Sequence, residues 1–177
     1  KTVTVIKGAK APASEGGDGC GEGAVRCAYL KKSAKLVGFT LTKGYAQNGG
    51  GTYYGTVRNC VLAGNHAYDY GGGSYYGVLE NCMLTGNRAD DYGGGAYYGT
   101  LKDCAFVENT AGSYGGGSYY ATLTDCCLSG NRASYGAGAH GGTLRRCVLK
   151  GNESSNYGGG AYSANLYSCS LSENRST

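Results

Sequence analysis

From Gly49 onward, apolar residues return in short alternating runs, and the runs themselves return at a fixed interval. In "TLKDCAFVEN" (100–109), Leu101, Cys104 and Phe106 fall on one side if the chain bends at Asp103. Lys102, Ala105 and Val107 fall on the other side, because successive strand residues point to opposite faces. The same rule selects Leu79, Cys82 and Leu84, then Leu123, Cys126 and Leu128. Glycine triplets interrupt the chain too often for any apolar stripe of helical period to develop. The pattern therefore predicts short strands and no helix.

The interval is set by Cys60, Cys82, Cys104, Cys126, Cys147 and Cys169, spaced 22, 22, 22, 21 and 22 residues apart. The short step traces to "NRASY" (131–135), one residue shorter than "NRADDY" or "NTAGSY". A deletion absorbed in one turn while the columns hold on both sides is how stacked coils tolerate length change. Short strands at this period close best as an all-β, right-handed parallel β-helix, a solenoid of about 22 residues per coil. Its coils lie about 4.8 Å apart and the winding follows the crossover rule. Residues 1–48 read as irregular N-terminal strands and an entry coil. Residues 49–177 read as the regular coils of one continuous domain.

A second column holds Asn65, Asn87, Asn109, Asn131, Asn152 and Asn174, each at a strand end. Asparagine tolerates left-handed backbone angles at such a turn, and stacked amides can bond from coil to coil as a ladder. Asn152 and Asn174 also match the glycosylation sequon in "NES" and "NRS"; a ladder would bury both amides. The glycines before each coil mark a corner where side chains would strike the next coil. The cysteine column reads as a ladder of free, buried thiols, since in-register side chains orient poorly for a disulfide. Cys127 falls at an outward position, and Cys20 and Cys27 precede the regular repeats.

Composition narrows the picture further. Glycine at 35 residues would suit a disordered chain, but 18 tyrosines and regular Leu and Val positions argue for a packed core. The net charge of +4 comes from 16 basic and 12 acidic residues spread thinly along the sequence. No dense basic stripe suggests nucleic acid, and no apolar run approaches the length of a membrane span. Arg58, Glu80 and Lys102 share a column, as do Asp125 and Arg146, so opposite charges should meet between coils.

"GGGAY" (93–97) followed by "FVEN" (106–109) resembles the paired repeat motifs of the chlamydial polymorphic outer-membrane proteins. "LAGN", "LTGN", "LSGN", "LKGN" and "LSEN" are weaker forms of the second motif. "KLVGFTLTKGYAQNGGG" (35–51) looks like the entry into bacterial pectin-lyase-like β-helices. The resemblance covers residues 24–177. It implies a right-handed β-helix from a secreted or surface-exposed bacterial protein, often an adhesin or an autotransporter passenger.

Candidate chemistry is sparse. Asp69 and Asp91 share a column beside Tyr70 and Tyr92, with Asp90 alongside. About one coil spacing apart, the pair would suit a retaining glycosidase or a calcium site as well as a plain turn. "GGDGCGEG" (16–23) is a single imperfect copy of a calcium-binding glycine repeat. His66 and His140 fall in different columns, His140 replacing a tyrosine, and the cysteine spacing does not suit zinc. The tyrosines are more telling. One column runs Tyr53, Tyr75, Tyr97, Tyr119, His140, Tyr162; another Tyr54, Tyr76, Tyr98, Tyr120; a third Tyr70, Tyr92, Tyr114, Tyr135, Tyr157. Neighbours in a strand cannot both face the core, so at least one column should be exposed, with Tyr54, Tyr76, Tyr98 and Tyr120 the candidate binding face.

Repetition without a singular site suggests a non-catalytic rod, extracellular or on a bacterial cell surface, that is structural or adhesive. Its partners would be glycans or proteins, or further copies stacked end to end, since both ends look cut. The alternative is a polysaccharide lyase or glycoside hydrolase, which shares the fold but needs non-repeating residues. No cofactor is implied beyond that calcium option.

Overall fold

The structure, a computed structural model, describes residues 4–10 and 24–177. The glycine-rich stretch at 16–23, with Cys20, lies outside the described residues. Every regular element described is a β-strand, and the strands pair in parallel. One coil carries four of them: Thr52–Tyr53, Thr56–Arg58, Val61–Ala63 and His66–Tyr70. Each stacks on its counterpart in the next coil, as Val57 on Leu79 and Leu62 on Leu84. The result is a parallel β-solenoid with four walls, three of seven strands and one of eight. The eighth strand is Thr4–Lys7, which extends the third wall by pairing with Phe39–Thr42. The coil from Ala28 to Asn48 already gives a strand to every wall.

Four corners close each coil, and each uses a left-handed residue. The first corner has Tyr54, Tyr76, Tyr98 and Tyr120, with φ between 48° and 58°; the second has Asn59, Asn81, Asp103, Asp125 and Arg146. The bend at Asp103 is the one the alternation pattern requires. The third corner corrects an expectation: its left-handed residues are Gly64, Gly86, Glu108, Gly130, Gly151 and Glu173. Each stands one place before the column asparagine, so the asparagines do not supply the turn. Glycine fits this place because it pays no Cβ penalty there. The short step at 131–135 is absorbed in the fourth wall, where the register shifts between Ala133 and Tyr135.

The core is lopsided. Its large side chains come from the second wall (Val57, Leu79, Leu101, Leu123, Leu144) and the third (Leu62, Leu84, Phe106, Leu128, Leu149), all buried. The first and fourth walls contribute small ones: Thr52, Ser74, Ala96, Ser118 and Ala139, and Ala67, Ala89, Ala111 and Ala133. Large residues thus reach across to small ones, which keeps the coil narrow and filled. Phe106 makes the point. A Cβ on Gly95 would lie 2.8 Å from its ring and 2.5 Å from the carbonyl oxygen of Gly117, so the ring occupies space a glycine leaves open.

What the asparagines supply is an amide ladder. The Oδ1 of Asn109 accepts from the backbone N–H of Asn87 at 3.0 Å and from its Nδ2 at 2.9 Å. Its own Nδ2 donates to the carbonyl of Leu84 and to Oδ1 of Asn131. The pattern repeats from Asn65, which receives the N–H of Gly44, to Asn174. Asn152 is fully buried, so its sequon is closed to any modifying enzyme in the folded chain.

The cysteines stack at the second corner as free thiols, Cys60, Cys82, Cys104, Cys126 and Cys147 buried and Cys169 partly so. Each donates to the carbonyl two residues back, Cys104 to Lys102 at 3.2 Å. Burial pushes the Cys60 thiol up, and the hydrogen bonds with Cys126 and Cys82, then burial, do the same to Cys104, whereas the hydrogen bond with Cys104 draws Cys82 and Cys126 down. Thiols enclosed in the interior react slowly, because a reagent cannot reach the sulfur while the coil is closed. Cys127 is exposed on the adjoining outward position. Brief alkylation of the native protein is expected to label Cys127 first and to spare the five buried thiols until denaturant is added. Mass mapping after a short pulse checks this; early labelling of Cys82 or Cys104 would contradict the ladder.

Candidate functional site: a tyrosine face

The first wall and its two corners are covered by tyrosine. All tyrosines except Tyr45, Tyr68 and Tyr167 belong to this surface. Along the first wall, inward positions hold Thr52, Ser74, Ala96 and Ser118, and outward positions hold Tyr53, Tyr75, Tyr97 and Tyr119. Strict alternation would turn the next residue inward. Instead the left-handed φ of Tyr54, Tyr76, Tyr98 and Tyr120 swings those rings outward as well. Both adjacent columns therefore face solvent. The candidate binding face is flanked by another column, and Tyr76 and Tyr120 are its most open members, 40% and 44% exposed.

Within each column the rings stack along the rod. Tyr75, Tyr97 and Tyr119 have centroids 5.3 and 5.2 Å apart, with planes within 6°. His140 continues that column, 5.1 Å from Tyr119 and nearly parallel to it. Tyr76 and Tyr98 lie 5.0 Å apart at 6°. The third column, Tyr70 through Tyr157, alternates stacked and tilted pairs and also touches the first: Tyr70 on Tyr97 at 4.7 Å, Tyr92 on Tyr119 at 5.0 Å. Neighbouring columns meet edge to face, as Tyr75 and Tyr76 do at 69°. Such pairs contribute about 0.5–1.5 kcal/mol each beyond burial.

Cations close one end of the array. The Arg26 guanidinium lies 4.7 Å from the Tyr53 ring centre and 5.4 Å from Tyr29, and the Lys32 amine 5.8 Å from Tyr54. These contacts were not legible in the sequence, where Arg26 and Lys32 stand outside the regular repeat. Burial, with the neighbouring phenols adding to it, raises the ionisation of Tyr75, Tyr97 and Tyr119 above the ordinary phenol value. The hydroxyls are therefore neutral donors throughout the physiological range.

His140 is buried in this array with an unpartnered Nδ1, and burial lowers its ionisation below 6.5. The unfolded chain then binds the proton more readily, so stability is full above about pH 6.5 and is lost as pH falls from 6.5 toward the folded value. Urea midpoints are expected to drop between pH 7.5 and pH 5. In His140→Tyr, which restores the column residue, that part of the drop should vanish; an unchanged drop would assign it to other groups.

The acidic candidates sit on the fourth wall and its end. Asp69 and Asp91 stack in one column, the backbone N–H of Asp91 bonding the carbonyl of Asp69. Asp69 accepts from Gln47, whereas Asp90 is engaged by Arg88 at 2.7 Å and lies 3.1 Å from His66. Burial, then Asp69 and Asp90, raises the Asp91 carboxyl. Among the described residues, no group of three or more His, Cys, Asp or Glu side chains is arranged to hold a metal ion. The charge columns pair partly as expected: Arg58 with Glu80 at 2.9 Å and Arg146 with Asp125 at 2.7 Å. Lys102 turns to its neighbour Asp103 instead.

Fold and surface together define a parallel β-solenoid repeat protein with an asparagine ladder inside and a tyrosine face outside. No protein-family model, curated protein or solved structure matches the chain.

Proposed function

We propose that this chain is a non-catalytic solenoid rod that works outside the cell or on its surface, and that the tyrosine face is its contact surface for an extended glycan. The observation that carries the reading is the continuity of that face, an unbroken run of ring contacts from Tyr29 to Tyr162. Outward phenol hydroxyls recur once per coil, about 5 Å apart. They offer neutral donors to a hydroxyl-rich polymer lying along the rod. Each contact is weak, and the sum over coils gives the avidity. The likeness of "GGGAY" and "FVEN" to bacterial surface-passenger repeats supports the location. A second reading, cleavage of polysaccharide by Asp69 and Asp91, has the backbone bond that places the two residues on adjacent coils and the raised acid of Asp91 in its favour.

The test is retention on a panel of insoluble neutral and acidic polysaccharides, with and without calcium, followed by product analysis. The Tyr76→Asn/Tyr98→Asn double variant keeps a residue that tolerates the left-handed angle. It is expected to weaken retention roughly ten-fold, as two of several additive weak contacts are lost. Retention equal to the parent chain would sink the glycan reading for this face, and soluble products would favour the enzyme.

A further inference from the structure

We infer that the exposed tyrosine column is a site of oxidative phenol coupling, in which Tyr98 is joined to Tyr76 or Tyr120 as a covalent staple across adjacent coils. The inference does not depend on what the face binds. Three observations carry it. The column holds Tyr54, Tyr76, Tyr98 and Tyr120 on successive coils with centroids 5.8, 5.0 and 5.8 Å apart. The rings belong to one fixed backbone register, since the residue before each is hydrogen-bonded coil to coil. Tyr76 and Tyr120 are exposed and Tyr98 between them is half-buried, whereas the first column beside them is more enclosed by rings on both sides.

The chemistry needs a one-electron oxidant, of the kind a haem peroxidase generates from hydrogen peroxide. Each of two phenols gives up one electron and its phenolic proton. The two phenoxyl radicals join through a new bond between ring carbons ortho to oxygen. The hydrogens on those carbons then move to the oxygens as aromaticity returns. Net, two hydrogen atoms leave the protein and one peroxide becomes two waters. The torsion between ring and Cβ is soft, so a stacked pair can turn about Cβ–Cγ to aim its ortho edges at each other, and a tilt about Cα–Cβ then closes the remaining gap to bonding distance. Stacked phenols also let the unpaired electron pass between equivalent rings before it is trapped.

Proximity and exposure make opposite forecasts. Exposure alone would direct coupling to Tyr29 and Tyr157, 67% and 64% exposed, ahead of Tyr76 and Tyr120. It would also join separate chains. Proximity favours links within one chain when the protein is far below the roughly millimolar effective concentration of tethered groups. The experiment treats dilute protein with a haem peroxidase and hydrogen peroxide, then reads dityrosine fluorescence, intact mass and cross-linked peptides. The expected result is a chain that stays monomeric on a denaturing gel and is lighter by two hydrogens per link. The peptide containing Tyr98 should be joined to the one containing Tyr76 or Tyr120. Tyr98→Phe keeps the ring and the stack but has no phenol to oxidise, and both links through position 98 should be lost. Links confined to Tyr29 or Tyr157, dimers as the main product, no coupling at all, or undiminished coupling in Tyr98→Phe would each overturn the inference.

Discussion

Replacing Asn109 by alanine is expected to destabilise the solenoid by roughly 3–5 kcal/mol, among the larger effects open to a single substitution. Asn109 is completely buried, and its amide serves four bonds to two neighbouring coils. Alanine would strand the backbone N–H of Asn87, one hydrogen of its amide and the carbonyl of Leu84. Water cannot replace the lost partner in that interior. The effect should exceed a sum of bond strengths, because each stranded group carries its own desolvation penalty. Asn174→Ala removes the same residue type where the ladder is only partly buried, and about 1 kcal/mol or less is expected. Urea unfolding of both variants measures the contrast. Equal midpoints would mean that the interior ladder contributes no more than its solvated end.

Phe106→Ala should rank beside it, at roughly 3–5 kcal/mol. Phe106 is the largest fully buried side chain and stands in a column with Leu62, Leu84, Leu128 and Leu149. Its ring reaches over Gly95, and the coils above and below are fixed by backbone pairing with Leu84 and Leu128. The walls cannot collapse into the void, so the cavity adds its cost to that of lost burial. Phe106→Leu installs the residue the column uses elsewhere and should cost less than about 1.5 kcal/mol. If both substitutions shift the urea midpoint alike, the ring rather than the filled volume is what matters at this position. Because a solenoid couples each coil mainly to its neighbours, either severe variant is also expected to broaden the transition by separating the two halves of the stack.

The cysteine period, the inward leucines and the asparagine column were legible in the sequence because each coil repeats one local environment. A residue that suits one coil suits all, and a period of 22 places like beside like. Burial of Leu101, Cys104 and Phe106 follows from two-residue alternation once a bend is allowed at Asp103. The same logic found His140 in place of a tyrosine, and the structure stacks it where that tyrosine would lie. The tyrosine columns could also be counted in advance, but their directions could not.

Direction at the corners was decided only by the tertiary structure. Alternation assigns Tyr53 and Tyr54 to opposite faces, yet the left-handed φ at Tyr54 turns both outward, and that angle exists because four walls must close into one coil. The third corner likewise takes its left-handed residue from Gly64 or Glu108, which frees Asn65 and Asn109 to point inward as ladder amides. Lys102 meets Asp103 instead of Glu80, and Arg26 settles on Tyr53, through side-chain reach that no period encodes. Periodicity is a property of the chain and can be read along it. Corner angles and lateral contacts are consequences of closure, and they come into being only when the coil is shut.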